Sequence, residues 1–87
     1  MTEFLIKRYI SKLSLSEIDS FSKKNGLSLS EDELNLIYDY IKNDWHTIIY
    51  GNPRPILDDL NSKLDDYSYQ KIEKLYIEFK NKYKNYL

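Results

Sequence analysis

The sequence predicts an all-α fold, a compact orthogonal bundle of about five short helices. Two serine–glutamate capping boxes lie in the N-terminal half, and apolar residues recur at helical spacing in segment after segment. No segment alternates apolar and polar residues for long enough to make a strand. Residues 3–12 begin the series, with Leu5, Ile6, Tyr9, Ile10 and Leu13 on a helical stripe. Ser14-Leu15-Ser16-Glu17 is the first capping box, in which hydroxyl and carboxylate satisfy orphan backbone N–H groups reciprocally. Leu13 and Ile18 supply its hydrophobic staple. The second helix runs to about Asn25 with Leu15, Ile18 and Phe21 inward, and Gly26 is placed for a left-handed C-cap.

Ser30-Glu31-Asp32-Glu33 repeats the box, stapled by Leu29 and Leu34, with three acids where the helix dipole favours them. The third helix carries Leu34, Ile37, Tyr38, Ile41, Trp45, Ile48 and Ile49 on one face, widened by Leu36, Tyr40 and Thr47. An apolar arc that broad predicts a central helix, ended by Gly51. Asn52-Pro53-Arg54-Pro55 makes a short, stiff connection. A fourth helix over about 55–64 turns Ile56, Leu57, Leu60 and Leu64 inward. Asp65-Asp66 caps the last helix, where Tyr69, Ile72, Tyr76, Phe79, Tyr83 and Tyr86 form a heptad-like seam too short for a coiled coil. The expected core is Leu5, Ile18, Phe21, Leu34, Ile37, Ile41, Trp45, Leu60, Ile72 and Phe79.

Composition narrows the possible functions. At 87 residues the chain is expected to be one domain, 1–87, burying about 60–65% of its unfolded surface. It has no cysteine, which excludes disulfides and thiol chemistry. The apolar runs are a few residues long, far short of the roughly 20 that span a bilayer. Met-Thr-Glu-Phe at the start lacks the basic flank and apolar stretch of a secretory signal, so a cytoplasmic protein is expected. Ile, Lys, Asn and Tyr account for 37 of the residues, and Ala and Val are absent. These four share AT-rich codons, so the tyrosines are read first as amphipathic residues at the edge of the core.

Candidate chemistry is sparse. His46 is the only histidine and follows Trp45 on a mostly apolar helix, a structural or surface position. The doublets Asp58-Asp59 and Asp65-Asp66 point about 100° apart on a helix and stand near helix starts, which suggests capping and dipole roles. The two glycines are too far apart for a phosphate loop. The expectation is therefore no enzyme, no cofactor and no metal. Helices two and three resemble a helix-turn-helix in outline, but Glu31-Asp32-Glu33 would repel a duplex where a binder needs cations.

The net charge of −1 hides a segregated pattern. Residues 1–27 carry +2, residues 28–66 carry −6 and residues 67–87 carry +3. The expected function is a small non-catalytic cytoplasmic protein-interaction module with an unidentified protein partner, a homodimer being one version. Its candidate interface is Tyr40, Tyr50, Tyr67, Ile77 and Tyr86, more apolar surface than so small a core absorbs. The alternative is nucleic-acid binding, with bases stacked on tyrosines and phosphates on lysines through Lys80, Lys82, Tyr83, Lys84 and Tyr86.

Three stretches also carry a resemblance. They are Ile10-Ser-Lys-Leu-Ser-Leu-Ser-Glu-Ile18, Ser22-Lys-Lys-Asn-Gly-Leu-Ser-Leu-Ser30 and Lys71-Ile-Glu-Lys-Leu-Tyr-Ile-Glu-Phe79. Together they resemble a family of small helical proteins of unknown function from low-GC Gram-positive bacteria (Bacillales). The first two look like that family's helix start and glycine corner, and the last is similar to its closing helix. The resemblance implies a helical fold and supplies no activity, ligand or catalytic residue.

Overall fold

Serine, glycine and proline mark off the helices where local chemistry predicts. In the computed structural model the backbone is described for residues 2–83 and the side chains for residues 3–82. The protein is all-α: α1 (Thr2–Lys12), α2 (Leu15–Lys24), α3 (Glu31–Tyr50), α4 (Arg54–Lys63) and α5 (Asp66–Tyr83), with no strand among the described residues. Contacts divide the chain into two units, residues 1–45 and 46–87, and α3 runs through the division. Asp44 leaves the helical region at φ −124°, ψ 19°, so α3 is not the uninterrupted rod that its apolar stripe suggests. Asn43 and Asp44 are consecutive short polar residues, a type that competes with helical backbone hydrogen bonding.

In the first unit both capping boxes form. The Glu17 amide donates to Ser14 Oγ at 3.1 Å, and the Ser14 amide donates back to Glu17 Oε1 at 3.2 Å. At α3 the Glu33 amide donates to Ser30 Oγ at 3.1 Å, and the Ser30 amide to Glu33 Oε1 at 2.8 Å. Helix α2 ends in a Schellman motif. Gly26 sits at φ 80°, its amide donates to the Lys23 carbonyl at 3.2 Å, and the Leu27 amide reaches the Ser22 carbonyl at 2.9 Å. This reversal buries Leu27 and Ser22 alongside Ile18 and Leu34.

Helix α1 has no glycine after it, and its last carbonyls are closed differently. Lys42, from the middle of α3, donates through Nζ to the carbonyls of Ile10 at 2.8 Å and Ser11 at 3.1 Å. A half-buried lysine thus puts a positive charge on the negative end of the α1 dipole. The same ammonium lies 5.5 Å from the centroid of the Tyr38 ring.

The second unit repeats the device. The last turn of α3 contains no basic residue of its own. Its carbonyls are met by the Gly51 amide at Thr47 (3.0 Å), the Tyr76 hydroxyl at Ile48 (3.3 Å) and Lys80 Nζ at Ile49 (2.7 Å). Tyr76 and Lys80 are one turn apart on α5, so a single helix face supplies both donors. A Cβ on Gly51 would lie 3.1 Å from the Thr47 oxygen and 3.2 Å from its Cα, which is why the chain leaves α3 through a glycine. Asn52 Oδ1 then accepts from the Arg54 amide at 3.1 Å, and α4 packs against α5. Ile49, Leu57, Leu60, Leu64 and Tyr69 are buried in this unit.

Three expected core residues are corrected: Leu5, Phe21 and Phe79 are exposed. On α1 the half-buried arc is Ile6, Ile10 and Leu13, and Leu5 stands one residue, about 100°, off it. On α2 the buried stripe is Ile18 and Ser22, because Leu27 folds back over a small side chain and leaves the bulky Phe21 outside. On α5 the side carrying Tyr76 and Lys80 meets the end of α3, which turns Phe79 outward. Ile18, Leu34 and Leu60 are buried as expected, whereas Ile37, Ile41, Trp45 and Ile72 are half-buried.

Removing either capping ammonium while keeping its apolar stem isolates this device. Lys42→Met and Lys80→Met are each expected to lower the unfolding free energy by about 1–2 kcal/mol in urea denaturation. Lys74→Met, exposed on α5, should change it by less than about 0.5 kcal/mol.

Candidate interaction surface

Burying the faces described above leaves a set of large apolar side chains in solvent. Phe4, Leu5, Tyr9, Phe21, Tyr67 and Ile77 are each 49–64% exposed. A scattered exposed leucine needs no explanation, but Phe4, Leu5 and Tyr9 all belong to one eleven-residue helix. Arg8 and Lys12 lie among them, also exposed. With 3.6 residues per turn, Phe4, Arg8, Lys12, Leu5 and Tyr9 cover an arc of about 140° on α1.

On α3, Leu36, Asp39, Tyr40, Asn43 and Asp44 line a shallow depression of about 150 Å³. That volume is below the roughly 300–1,000 Å³ of small-molecule pockets. Its lining residues are spaced i, i+3, i+4, i+7 and i+8, so the depression follows one side of a single helix. Leu36 and Tyr40 supply its half-buried apolar floor, and Asp39 and Asp44 its negative charge.

The five residues expected at an interface do not form one patch. Tyr40 is half-buried in the depression on α3. Tyr50, half-buried at the end of α3, places its ring 5.1 Å from that of His46, tilted by 42°. Tyr67 and Ile77 are exposed, but they stand about 15 Å apart along α5. Tyr86 lies outside the described residues. Of the residues considered for nucleic acid, Lys80 is half-buried on the Ile49 carbonyl and Lys82 is exposed. The Tyr83 side chain, Lys84 and Tyr86 lie outside the described residues.

The sequence reading missed the apolar patch on α1. Its signal was present: Phe4 and Leu5 fall off the arc of Ile6, Ile10 and Leu13, so one helix carries apolar groups on two sides.

The aspartate doublets act separately. Asp58 and Asp59 lie inside α4 and pair four residues away, with Arg54 at 3.9 Å and Lys63 at 3.0 Å, in place of the expected capping role. Asp65 does cap, accepting from the Ser68 amide at 3.3 Å. Hydrogen bonds from the Ser68 side chain and then its backbone hold the Asp65 carboxyl below the ordinary 3.8. Tyr69 donates to Glu73 Oε2 at 3.0 Å, an oxygen that Arg54 Nη2 approaches at 3.8 Å. Desolvation, followed by the Glu73 hydrogen bond and charge, raises the Tyr69 hydroxyl above 10.0, and desolvation likewise raises Tyr76. Among the described residues no group of three or more His, Asp or Glu side chains is placed to hold a metal ion.

No protein-family model, curated protein or solved structure matches this chain significantly.

These shifts contribute to the pH dependence of stability at both ends of the scale. The Asp65 contribution is fully present above the carboxyl's unfolded pKa and is lost as pH falls through its lower folded value. Asp65→Ala should therefore weaken the acid dependence of unfolding below about pH 4. The Tyr69 and Tyr76 contributions are present below the unfolded tyrosine pKa and are lost as pH rises through their higher folded values. Tyr69→Phe and Tyr76→Phe should each flatten the alkaline limb above about pH 10 in thermal melts followed by circular dichroism.

Proposed function

We propose that the chain is a small non-catalytic protein-interaction module that works in the cytoplasm by binding. The observation that carries the reading is the set of large apolar side chains left in solvent, led by Phe4, Leu5 and Tyr9 on α1. Exposed aromatic groups beside arginine, as Phe4 and Tyr9 stand beside Arg8, are residue types enriched at protein interfaces. The engagement of Lys80 with the end of α3 also supports protein over nucleic acid, since that half-buried ammonium is already held by a hydrogen bond to the Ile49 carbonyl. A cysteine-free composition accords with a reducing compartment.

Site-specific photo-crosslinking in cells tests the proposal. A benzophenone side chain at position 9, 67 or 77 is expected to give discrete protein adducts. The same group at Ser20, exposed on α2 with no large apolar character, should give none. Adducts at none of the three positions, or the same smear at all four, would reject the reading. Retention on single-stranded RNA with a steep salt dependence would replace it with nucleic-acid binding.

A further inference from the structure

The exposed side of α1 and the depression on α3 have opposite chemistry within the first unit. Phe4, Leu5 and Tyr9 project from α1 together with the cations Arg8 and Lys12. The α3 depression has an apolar floor of Leu36 and Tyr40 beside the carboxylates Asp39 and Asp44. Each surface covers an arc of about 140° on one helix. One therefore offers projecting apolar groups and two positive charges, and the other a concave apolar floor and two negative charges.

We propose that the chain associates with further copies of itself head to tail, the exposed side of α1 on one copy seating on the acidic side of α3 on the next. The inference rests on the interaction reading above and names its partner as a second copy of this chain. The contact is heterologous, because the two surfaces are different parts of the molecule. Each added copy leaves one free surface of each kind, so assembly continues beyond two unless the rotation closes a ring. The apolar groups supply the burial, and the charges set which surfaces meet and in which register.

Sedimentation and light scattering of the full chain from micromolar to millimolar concentration test the proposal. The mass-average weight is expected to rise beyond that of a dimer. Raising salt from about 50 mM to about 500 mM, which shortens the Debye length roughly threefold, should weaken association. Phe4→Ala/Tyr9→Ala removes one surface and Asp39→Lys reverses charge on the other. Each variant is expected to move association to at least about tenfold higher concentration. All three substituted residues are exposed, and circular dichroism verifies that the variants retain their helices.

Mixing decides the geometry. The Asp39→Lys variant keeps an intact α1 surface and the Phe4→Ala/Tyr9→Ala variant an intact α3 surface. Together they should form a 1:1 pair that grows no further, although each alone is monomeric. A wild-type monomer at every concentration overturns the inference, as does a symmetric dimer whose variants fail to complement each other. Association unaffected by either variant overturns it too. Adducts to a different protein at positions 67 and 77 from a strictly monomeric chain would leave the interaction reading standing and remove only this partner.

Discussion

Helix C-termini make a demand that this chain meets with lysine at two of its helix ends, those of α1 and α3. Every helix leaves four carbonyls without intrahelical donors, and proteins commonly close them with a glycine in the left-handed region. Only two glycines are present, and only Gly26 adopts a positive φ. The chain instead reaches across from later helices. Lys42 closes α1 from 31 and 32 residues away, and Lys80 closes α3 from 31 residues away. A lysine suits the task because its apolar stem lies along the packed surface while its ammonium reaches a bare carbonyl. Each device acts inside its own unit, and each ties two helices together by a charged hydrogen bond as well as by apolar burial.

The same physics decides what could be read from the residues beforehand. The helix starts were legible because a capping box lies within four consecutive positions, as at Ser14–Glu17 and Ser30–Glu33. Gly26 was legible for the same reason, its partners Ser22 and Lys23 lying within five residues. The roles of Lys42 and Lys80 were not, since their partners lie some thirty residues upstream; Lys42 carried no local signal, and Lys80 stood only as a candidate phosphate contact. Phe21 was misplaced because it stands three residues after Ile18, at helical spacing on the same apolar side. Here a Schellman turn makes the small Ser22 the covered residue, and the phenyl ring is left in solvent. The interface candidates fared as single residues only: Tyr67 and Ile77 are exposed, but no periodicity argument told that the densest exposed set lies on α1.

Tyrosine abundance separates into distinct uses once positions are known. Tyr69 and Tyr76 put their rings into the second unit and their hydroxyls on Glu73 and the Ile48 carbonyl. That is the amphipathic use expected of a residue with an apolar body and a polar tip. Base composition can enrich such residues without cost, because the hydroxyl always has somewhere to go. Phe4 and Leu5 differ: they carry no polar group to hydrate, so their exposure gains nothing from water.

An unfavourable exposure of this kind persists only where covering it would cost more or where something else covers it. The half-buried arc of α1 is already occupied by Ile6 and Ile10, continued by Leu13 just beyond the helix, and Lys42 holds the Ile10 and Ser11 carbonyls at its end. Turning Phe4 and Leu5 inward would turn Ile6 and Ile10 outward, since the two sets lie on different sides of the same helix. With Ile6 and Ile10 half-buried, the second apolar side of α1 faces outward. The opposite charge on the two surfaces of the first unit then follows from a sequence that is basic before residue 28 and acidic over residues 28–66. Helix closure and surface chemistry thus meet on one helix: α1 is closed at its end by Lys42 and carries Phe4, Leu5 and Tyr9 exposed along its other side.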